Sequence, residues 1–235
     1  MASYTWAGYD NLQIHLNSPI DRTGPKEECT DKICTSLLDL IENAQSSIDF
    51  AVYGLRGQPQ ILNALIKAEK RGVFIRGIID KTVDGKSYYT DTYLLEQELN
   101  NIKSDHQADL KTKRYLERKN VKDNSECERP NFTDGPLQCF EDKGYASKEK
   151  IFFTGDIMHN KFFVVDKRFI WTGSTNLSDT GTGGYNANIV AELDSVYFAA
   201  FYTQEFEQMY VLGNHHRQKK QLRKQEIKKY INPST

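Results

Sequence analysis

The chain has 235 residues, a formal net charge of -1 and 38% hydrophobic residues. These values are typical of a globular protein, and they exclude a disordered chain and a nucleic-acid binder that relies on an overall positive charge. No apolar run approaches the roughly 18 residues of a membrane span, and the N-terminus lacks the basic and apolar regions of a secretory signal. We expect a soluble chain, cytoplasmic as written, or periplasmic or secreted if a signal peptide was removed.

The first 80 residues alternate between strand and helix patterns. The predicted elements are a strand at 12–16, a helix containing Ile33, Leu37, Leu38, Leu40 and Ile41, a strand at 47–53, a helix at 58–71 and a strand at 73–80. Pro59 lies near the first turn of the second helix and Gly72 follows its end. Strand, helix and strand with short connections favour a right-handed βαβ unit and a largely parallel sheet.

The middle of the chain differs in composition, because residues 100–150 are rich in Lys, Asp, Asn and Glu. We predict one domain over residues 1–235, with an insertion at about 81–150 and a basic C-terminal tail at about 214–235. The insertion begins with a predicted helix at 88–101 and is partly helical to residue 120. The later predicted elements are strands at 151–153, 159–165, 169–172 and 187–193 and a helix at 195–211.

A short segment concentrates groups that suit phosphate chemistry. His159 and Lys161 are two residues apart on a predicted strand, so their side chains point the same way. After the next strand, Gly173 permits a tight turn that returns Ser174 and Asn176 to the same end. Separately, each could be ordinary: a core histidine, a lysine on an edge strand, a polar turn. Together, an imidazole, an ammonium, a hydroxyl and an amide suit a phosphodiester passing through a charged transition state.

The segment resembles the HKD motif of the phospholipase D superfamily, H-x-K-x4-D-x6-G-S-x-N, at every fixed position including Asp166. The resemblance covers roughly residues 10–80 and 150–212. It implies an α/β fold of phospholipase D type, with a central, mostly parallel β-sheet flanked by helices on both faces.

The resemblance also implies roles for individual residues. In that family two motifs meet across a two-fold axis; one histidine attacks phosphorus to give a phosphohistidine and the other protonates the leaving oxygen. Here His159 would be nucleophile or general acid, Lys161 and Asn176 would hold phosphate, and Ser174 would help position the imidazole. Asp166 and Gly173 would support the site. We expect no metal or other cofactor, because two imidazoles and two lysines would supply the charge.

The number of motifs predicts an assembly. Of five histidines only His159 has a lysine two residues on, so the chain carries one motif and a second copy must supply the other. We therefore expect a homodimer with the active site on its two-fold axis. The predicted function is a metal-independent phosphodiesterase, with DNA or RNA as the favoured substrate. The alternatives are a phospholipase D-like hydrolase or transphosphatidylase acting on phospholipid headgroups, and a nucleic-acid-binding or scaffold protein with vestigial chemistry.

One departure from the family concerns the imidazole. Many members carry an acidic residue after the Gly-Ser-x-Asn turn that hydrogen-bonds the catalytic histidine. Asn186 and Asn188 occupy that stretch here and would replace it only weakly, while Glu192 lies further along the strand. The glycine-rich residues 181–184 either bring backbone amides near phosphate or form a flexible hairpin loop.

Cysteines and two basic clusters leave further alternatives. Cys29 and Cys34 form one local pair, and Cys127 and Cys139 another. Disulfides, free thiols and a four-thiolate zinc site are all compatible with these spacings. The clusters at 111–122 and 217–229 could follow a nucleic-acid backbone or be solvated helix faces.

Overall fold

The computed structural model describes residues 12–17, 24–118 and 157–215. Nine strands and five helices lie in these ranges. In chain order they are β1 Leu12–Leu16, α1 Lys32–Asn43, β2 Ser47–Val52, β3 Leu55–Arg56, α2 Pro59–Lys70, β4 Phe74–Ile79, α3 Thr92–Glu98, β5 Ile102–Ser104, α4 His106–Arg118, β6 Lys161–Val165, β7 Phe169–Gly173, β8 Leu177–Ser178, β9 Ile189–Asp194 and α5 Val196–Tyr210.

Seven strands form one sheet in the order β1-β9-β7-β6-β2-β4-β5, and β3 pairs with β8 beside it. The α/β class is confirmed, and so is the βαβ unit, since β2 and β4 are parallel and joined through α2. Within the seven-stranded sheet, parallel pairing is confined to β2, β4 and β5, whereas β2–β6, β6–β7, β7–β9 and β1–β9 are antiparallel. The sheet is therefore mixed. The connection at 166–168 is too short for a parallel crossover, so β6 and β7 form a hairpin.

Helices cover both faces of the sheet, as predicted. Helices α1 and α2 pack on one face through fully buried residues that include Ile33, Leu37, Ile61 and Leu65. Helix α5 packs on the other face, where Phe206 contacts a cluster containing Phe162 and Ile170. The period of apolar positions in α1 and α2 explains their orientation, because each has one apolar stripe to bury.

The middle segment differs from the sequence prediction. The helix expected at 88–101 is shorter, Thr92–Glu98, and it is followed by the unpredicted strand β5, which extends the sheet beside β4. A three-residue strand shows no period of its own, so its sequence carries no signal. Helix α4 lies where partial helix was expected. The predicted strand at 151–153, residues 119–122 of the first basic cluster, the cluster at 217–229, Cys127 and Cys139 all lie outside the described residues.

The first cysteine pair forms a disulfide, Cys29–Cys34, just before and within α1. Both residues are buried in the core cluster beneath α1 and α2. Across the described ranges, no helix is both long enough and apolar enough to cross a membrane.

Candidate active site

The predicted site residues other than Asp166 lie at one edge of the sheet, where β2, β4 and β7 end and β6 and β9 begin. Val52, the last residue of β2, is the register partner of Lys161. Thr172 near the end of β7 donates its hydroxyl to the Lys161 carbonyl at 3.1 Å, and Gly173 pairs with Val190 of β9. The backbone register therefore brings the two halves of the motif together.

His159 lies two residues before β6, with its side chain exposed to solvent on one side. Its ring packs edge-on against Tyr53, with 5.2 Å between the ring centroids. Partial burial lowers the pKa of His159, and the nearby Lys161 charge lowers it further. Both effects increase the neutral fraction of the imidazole near pH 7, and the neutral form is the nucleophilic one.

Lys161 is buried, with 8% of its surface exposed. Its Nζ donates to the His159 carbonyl at 3.0 Å, and an ammonium has two further hydrogens to donate. Burial lowers the pKa of Lys161 to about 8. Among the described residues no carboxylate forms an ion pair with Lys161. A partly desolvated cation of this kind favours an incoming anion such as phosphate.

Ser174 sits in the turn after β7 and is held by β9. Its Oγ donates to Asn188 Oδ1 at 2.9 Å and accepts from the Ile189 backbone amide at 3.0 Å. The preceding Gly173 lies so close to β9 that a Cβ there would come 2.1 Å from the Ile189 carbonyl oxygen. Glycine at this position is therefore required for the close approach of the two strands.

Asn176 begins the loop that carries the glycines. Its carbonyl accepts from the amides of Ser178 and Thr182, and its buried Oδ1 finds no hydrogen-bond partner among the described residues. The amides of Gly181, Gly183 and Gly184 donate to oxygens within the loop. This internal bonding supports the interpretation of residues 181–184 as a loop rather than a phosphate cradle.

Asp166 lies at the opposite end of β6 from His159 and Lys161. Its carboxylate accepts from the backbone amides of Gln45, Ser46 and Ser47 at 2.7 to 3.2 Å. These hydrogen bonds lower the pKa of Asp166 although partial burial opposes them. The contact ties the β6–β7 turn to the start of β2, so its geometry is that of a structural residue.

Two of the three candidates for an imidazole partner, Asn188 and Glu192, are engaged elsewhere. Asn188 accepts from Ser174, and Glu192 lies 3.3 Å from Nε2 of His15 across the β1–β9 pair. Among the described residues no side chain hydrogen-bonds the imidazole of His159. The aromatic ring that packs against it in these ranges is that of Tyr53. No group of three or more His, Cys, Asp or Glu side chains in these ranges is arranged to hold a metal ion.

Sequence reasoning missed Tyr53 and Asp80. Tyr53 directly follows β2, and Asp80 directly follows β4 and accepts from the Met158 amide at 2.6 Å. Their signal was present, because polar residues directly after parallel strands emerge at the same sheet edge, where ligands of α/β proteins bind.

Comparisons with known proteins give one matching family and several similar structures. The family described as "Cardiolipin synthase, PLD-like domain" matches residues 37–210. No curated protein sequence shows significant similarity. NucT from Helicobacter pylori has a similar structure, with a TM-score of 0.51 and 14% identity over 84% of this chain and 94% of that one. Nuc from Salmonella typhimurium, a phospholipase D family member, has a TM-score of 0.49 and 18% identity over 84% of this chain and 91% of that one. Phosphatidylserine synthase of Haemophilus influenzae has a TM-score of 0.44 and 12% identity over 85% of this chain and 38% of that one.

Proposed function

The chain belongs to the phospholipase D superfamily through its PLD-like domain, and from this premise we propose that it is a metal-independent nuclease whose active site is completed by a second copy of the chain. Membership of this family makes the chain a phosphodiesterase of the phospholipase D kind. The observation that carries the proposal is the convergence of His159, Lys161 and Ser174 at one sheet edge.

One copy of the chain supplies half of the catalytic groups, and a second copy supplies the other half. A neutral imidazole at His159 attacks phosphorus, forming an N–P bond as the P–O bond to the leaving group breaks. The leaving oxygen takes a proton from the imidazolium of a second His159. Water then attacks the phosphohistidine, gives a proton to that second imidazole and releases the first one. Lys161 and Asn176 bind the non-bridging oxygens, whose negative charge grows in the transition state.

A second copy is supported by an apolar surface next to the site. The β1–β9 apolar face comprises four residues on one side of two paired strands, each at least 46% exposed: Leu12, Ile14, Leu16 and Ile189. The exposed side chains of Val196, Tyr197 and Phe198 at the start of α5 follow on from β9. Exposed apolar area of this kind marks an interaction surface. Ile189 also bonds Ser174, so the surface is continuous with the site and a dimer there would bring two motifs close together.

Nucleic acid is favoured over lipid by α4. This helix begins next to Asp105 near the site edge and carries Lys111, Arg114 and Arg118, all exposed. Thirteen helical residues extend about 20 Å, a length that follows several phosphates of a strand. Because the net charge of the chain is only -1, this local concentration of positive charge is what would attract a polyanion.

The test is a substrate panel in excess EDTA. Single-stranded DNA, plasmid DNA, RNA and vesicles of phosphatidylglycerol are incubated with the wild type, H159A and K167A, the last removing an exposed lysine in the β6–β7 turn. We expect cleavage of nucleic acid by the wild type and K167A and none by H159A. Headgroup release from the vesicles without cleavage of nucleic acid would overturn the nuclease assignment, and full activity of H159A would overturn the mechanism.

A further inference from the structure

A buried glutamine connects three segments behind the loop that carries Asn176. Gln58 directly precedes α2 and is 2% exposed. Its Nε2 donates to the carbonyl oxygens of Gly57 and Lys26 at 2.6 and 3.1 Å. Its Oε1 accepts from the Thr182 hydroxyl at 2.8 Å. Because carbonyl oxygens only accept hydrogen bonds, these contacts allow one orientation of the Gln58 carboxamide.

Thr182 continues this connection to Asn176. It is fully buried, and its backbone amide donates to the Asn176 carbonyl at 3.0 Å. The preceding residue, Gly181, lies so close to that carbonyl that a Cβ there would come 2.2 Å from its oxygen. Residues 176–184, which we call the Asn176 loop, are therefore folded tightly over the backbone of their first residue.

The Asn176 loop also contacts a segment near the N-terminus, residues 26–29. The Lys26 amide donates to the Asp179 carbonyl at 3.1 Å. A Cβ at Gly183 would come 2.0 Å from the Lys26 carbonyl oxygen, so the two backbones are in direct contact there. The position of the segment therefore limits where the loop can lie.

Residues 26–29 are themselves fixed to the core. The disulfide between Cys29 and Cys34 attaches the end of the segment to α1, and the Cys29 amide donates to the Gln60 side chain at 2.5 Å. The Sγ atom of Cys34 lies 3.7 Å from Oε1 of Gln58, so the disulfide and the glutamine pack together. Gln58 thus joins a firmly held part of the molecule to the Asn176 loop.

We propose that Gln58 is a positioning residue for catalysis: through Thr182 it holds the backbone of Asn176 so that the Asn176 carboxamide meets a phosphate oxygen. The inference rests on the proposed function, which assigns phosphate binding to Asn176. Oδ1 of Asn176 has no hydrogen-bond partner among the described residues, so no bond to that oxygen orients the side chain. Its direction therefore follows from the contacts of its backbone. A carboxamide held in place beforehand does not have to be ordered when the substrate binds.

Two substitutions remove the connection from opposite ends. Q58M keeps a side chain of similar length but loses both hydrogen-bonding ends, and T182V replaces the hydroxyl with a methyl group and keeps the backbone amide. In Q58M the Thr182 hydroxyl still has the Ser178 carbonyl at 3.2 Å as an acceptor. We expect each variant to lower kcat by about 5- to 20-fold, because misplacement of a positioned group costs up to about 100-fold. Q97M, at an exposed glutamine of α3, is the matched control and should leave kcat unchanged.

The decisive readout is a double-mutant cycle with Asn176, measured under single-turnover conditions. In N176A the side chain that Gln58 would direct is absent, so adding Q58M should lower the rate by less than about twofold. A purely structural role of Gln58 would lower the rate by the same factor in both backgrounds, and that result would overturn the proposal. So would a folded Q58M with the wild-type rate. The same cycle with T182V leaves the start of α2 intact, and it decides the question if Q58M does not fold.

A second measurement does not depend on turnover. The side-chain amide NMR signals of Asn176 should shift in Q58M and in T182V and stay unchanged in Q97M. Unchanged signals in Q58M and T182V would overturn the positioning role by itself. If the wild type cleaves no phosphodiester, it is the proposed function that fails.

Discussion

The hydroxyl of Ser174 donates to Asn188 Oδ1 at 2.9 Å. The two residues are 14 positions apart in sequence and meet because β7 and β9 are antiparallel neighbours. Asn188 is one of the two residues that could have taken the place of the family's acidic imidazole partner. In the structure it instead holds the serine of the motif, and the backbone amide of Ile189 donates to the same hydroxyl.

We therefore expect N188A to lower activity less than S174A does. N188A removes one neutral hydrogen bond, which contributes about 1 kcal/mol and corresponds to roughly a fivefold loss of kcat if the bond orients the site, whereas S174A also removes the bond from the Ile189 amide. The double variant should lose little more than S174A alone, because S174A already removes the bond to Asn188. Measurement of kcat for the four proteins of this cycle checks the coupling. Losses that multiply would show that Ser174 and Asn188 act independently.

The pKa of Lys161 sets an alkaline limit on activity. Burial lowers it to about 8, so the ammonium is charged below that pH and loses its charge as the pH rises through it. We expect kcat/KM to fall above about pH 8. The corresponding fall in kcat should occur at a higher pH, because bound phosphate stabilises the charged form of Lys161. K161A should lose about 10²- to 10³-fold in kcat/KM.

K161R provides the companion measurement for this limb. A guanidinium remains charged throughout the range, so any activity that K161R retains should fall at a higher pH than that of the wild type. K167A, at an exposed lysine, should reproduce the wild-type profile. An unshifted limb in K161R would assign the titration to another group.

Asp166 should contribute to stability rather than to chemistry. Its carboxylate accepts three backbone amides at the start of β2, and these bonds lower its pKa. A group with a lowered pKa in the folded state contributes stability above its unfolded pKa of about 4 and loses it as the pH falls through its folded pKa. We expect D166A to lower the free energy of unfolding by about 2 kcal/mol at pH 7. The difference from the wild type should shrink below about pH 4 in urea denaturation. If the difference in the free energy of unfolding stayed constant down to the lowest pH, the ionised carboxylate of Asp166 would not be the stabilising group.

Mixed dimers test the shared site. If each active site needs a His159 from both copies, a dimer containing one H159A copy is inactive. Co-refolding wild-type protein with H159A should then give activity that varies with the square of the wild-type fraction. A linear dependence would mean that each copy acts alone, and light scattering on the same samples reports whether the dimer forms.

A charge on the β1–β9 apolar face offers an independent check on the interface. L16D places a carboxylate in an exposed position of that face, so it should weaken the dimer and reduce activity together while the fold persists. L12D serves as a second variant of the same face. Dimerisation unaffected by either variant would place the interface elsewhere.

The sequence by itself determined the local features of this protein. An apolar period located α1, Pro59 and Gly72 marked the ends of α2, and six spaced positions identified the motif, because these signals depend on residues close together in the chain. The chain could not reveal β5, which is too short to show a period. Nor could it tell that Asp166 binds residues about 120 positions away.

Only the tertiary structure decided which groups surround His159. The pairing of β4 with β5 places Asp80 beside Asp105, and the end of β2 places Tyr53 against the imidazole. The antiparallel β7–β9 pair decided that Asn188 binds Ser174. These contacts depend on strand order and register, and many distant segments with similar patterns could pair in other ways. The burial that lowers the pKa of Lys161 arises from the same packing, so the charge of the site is a property of the fold.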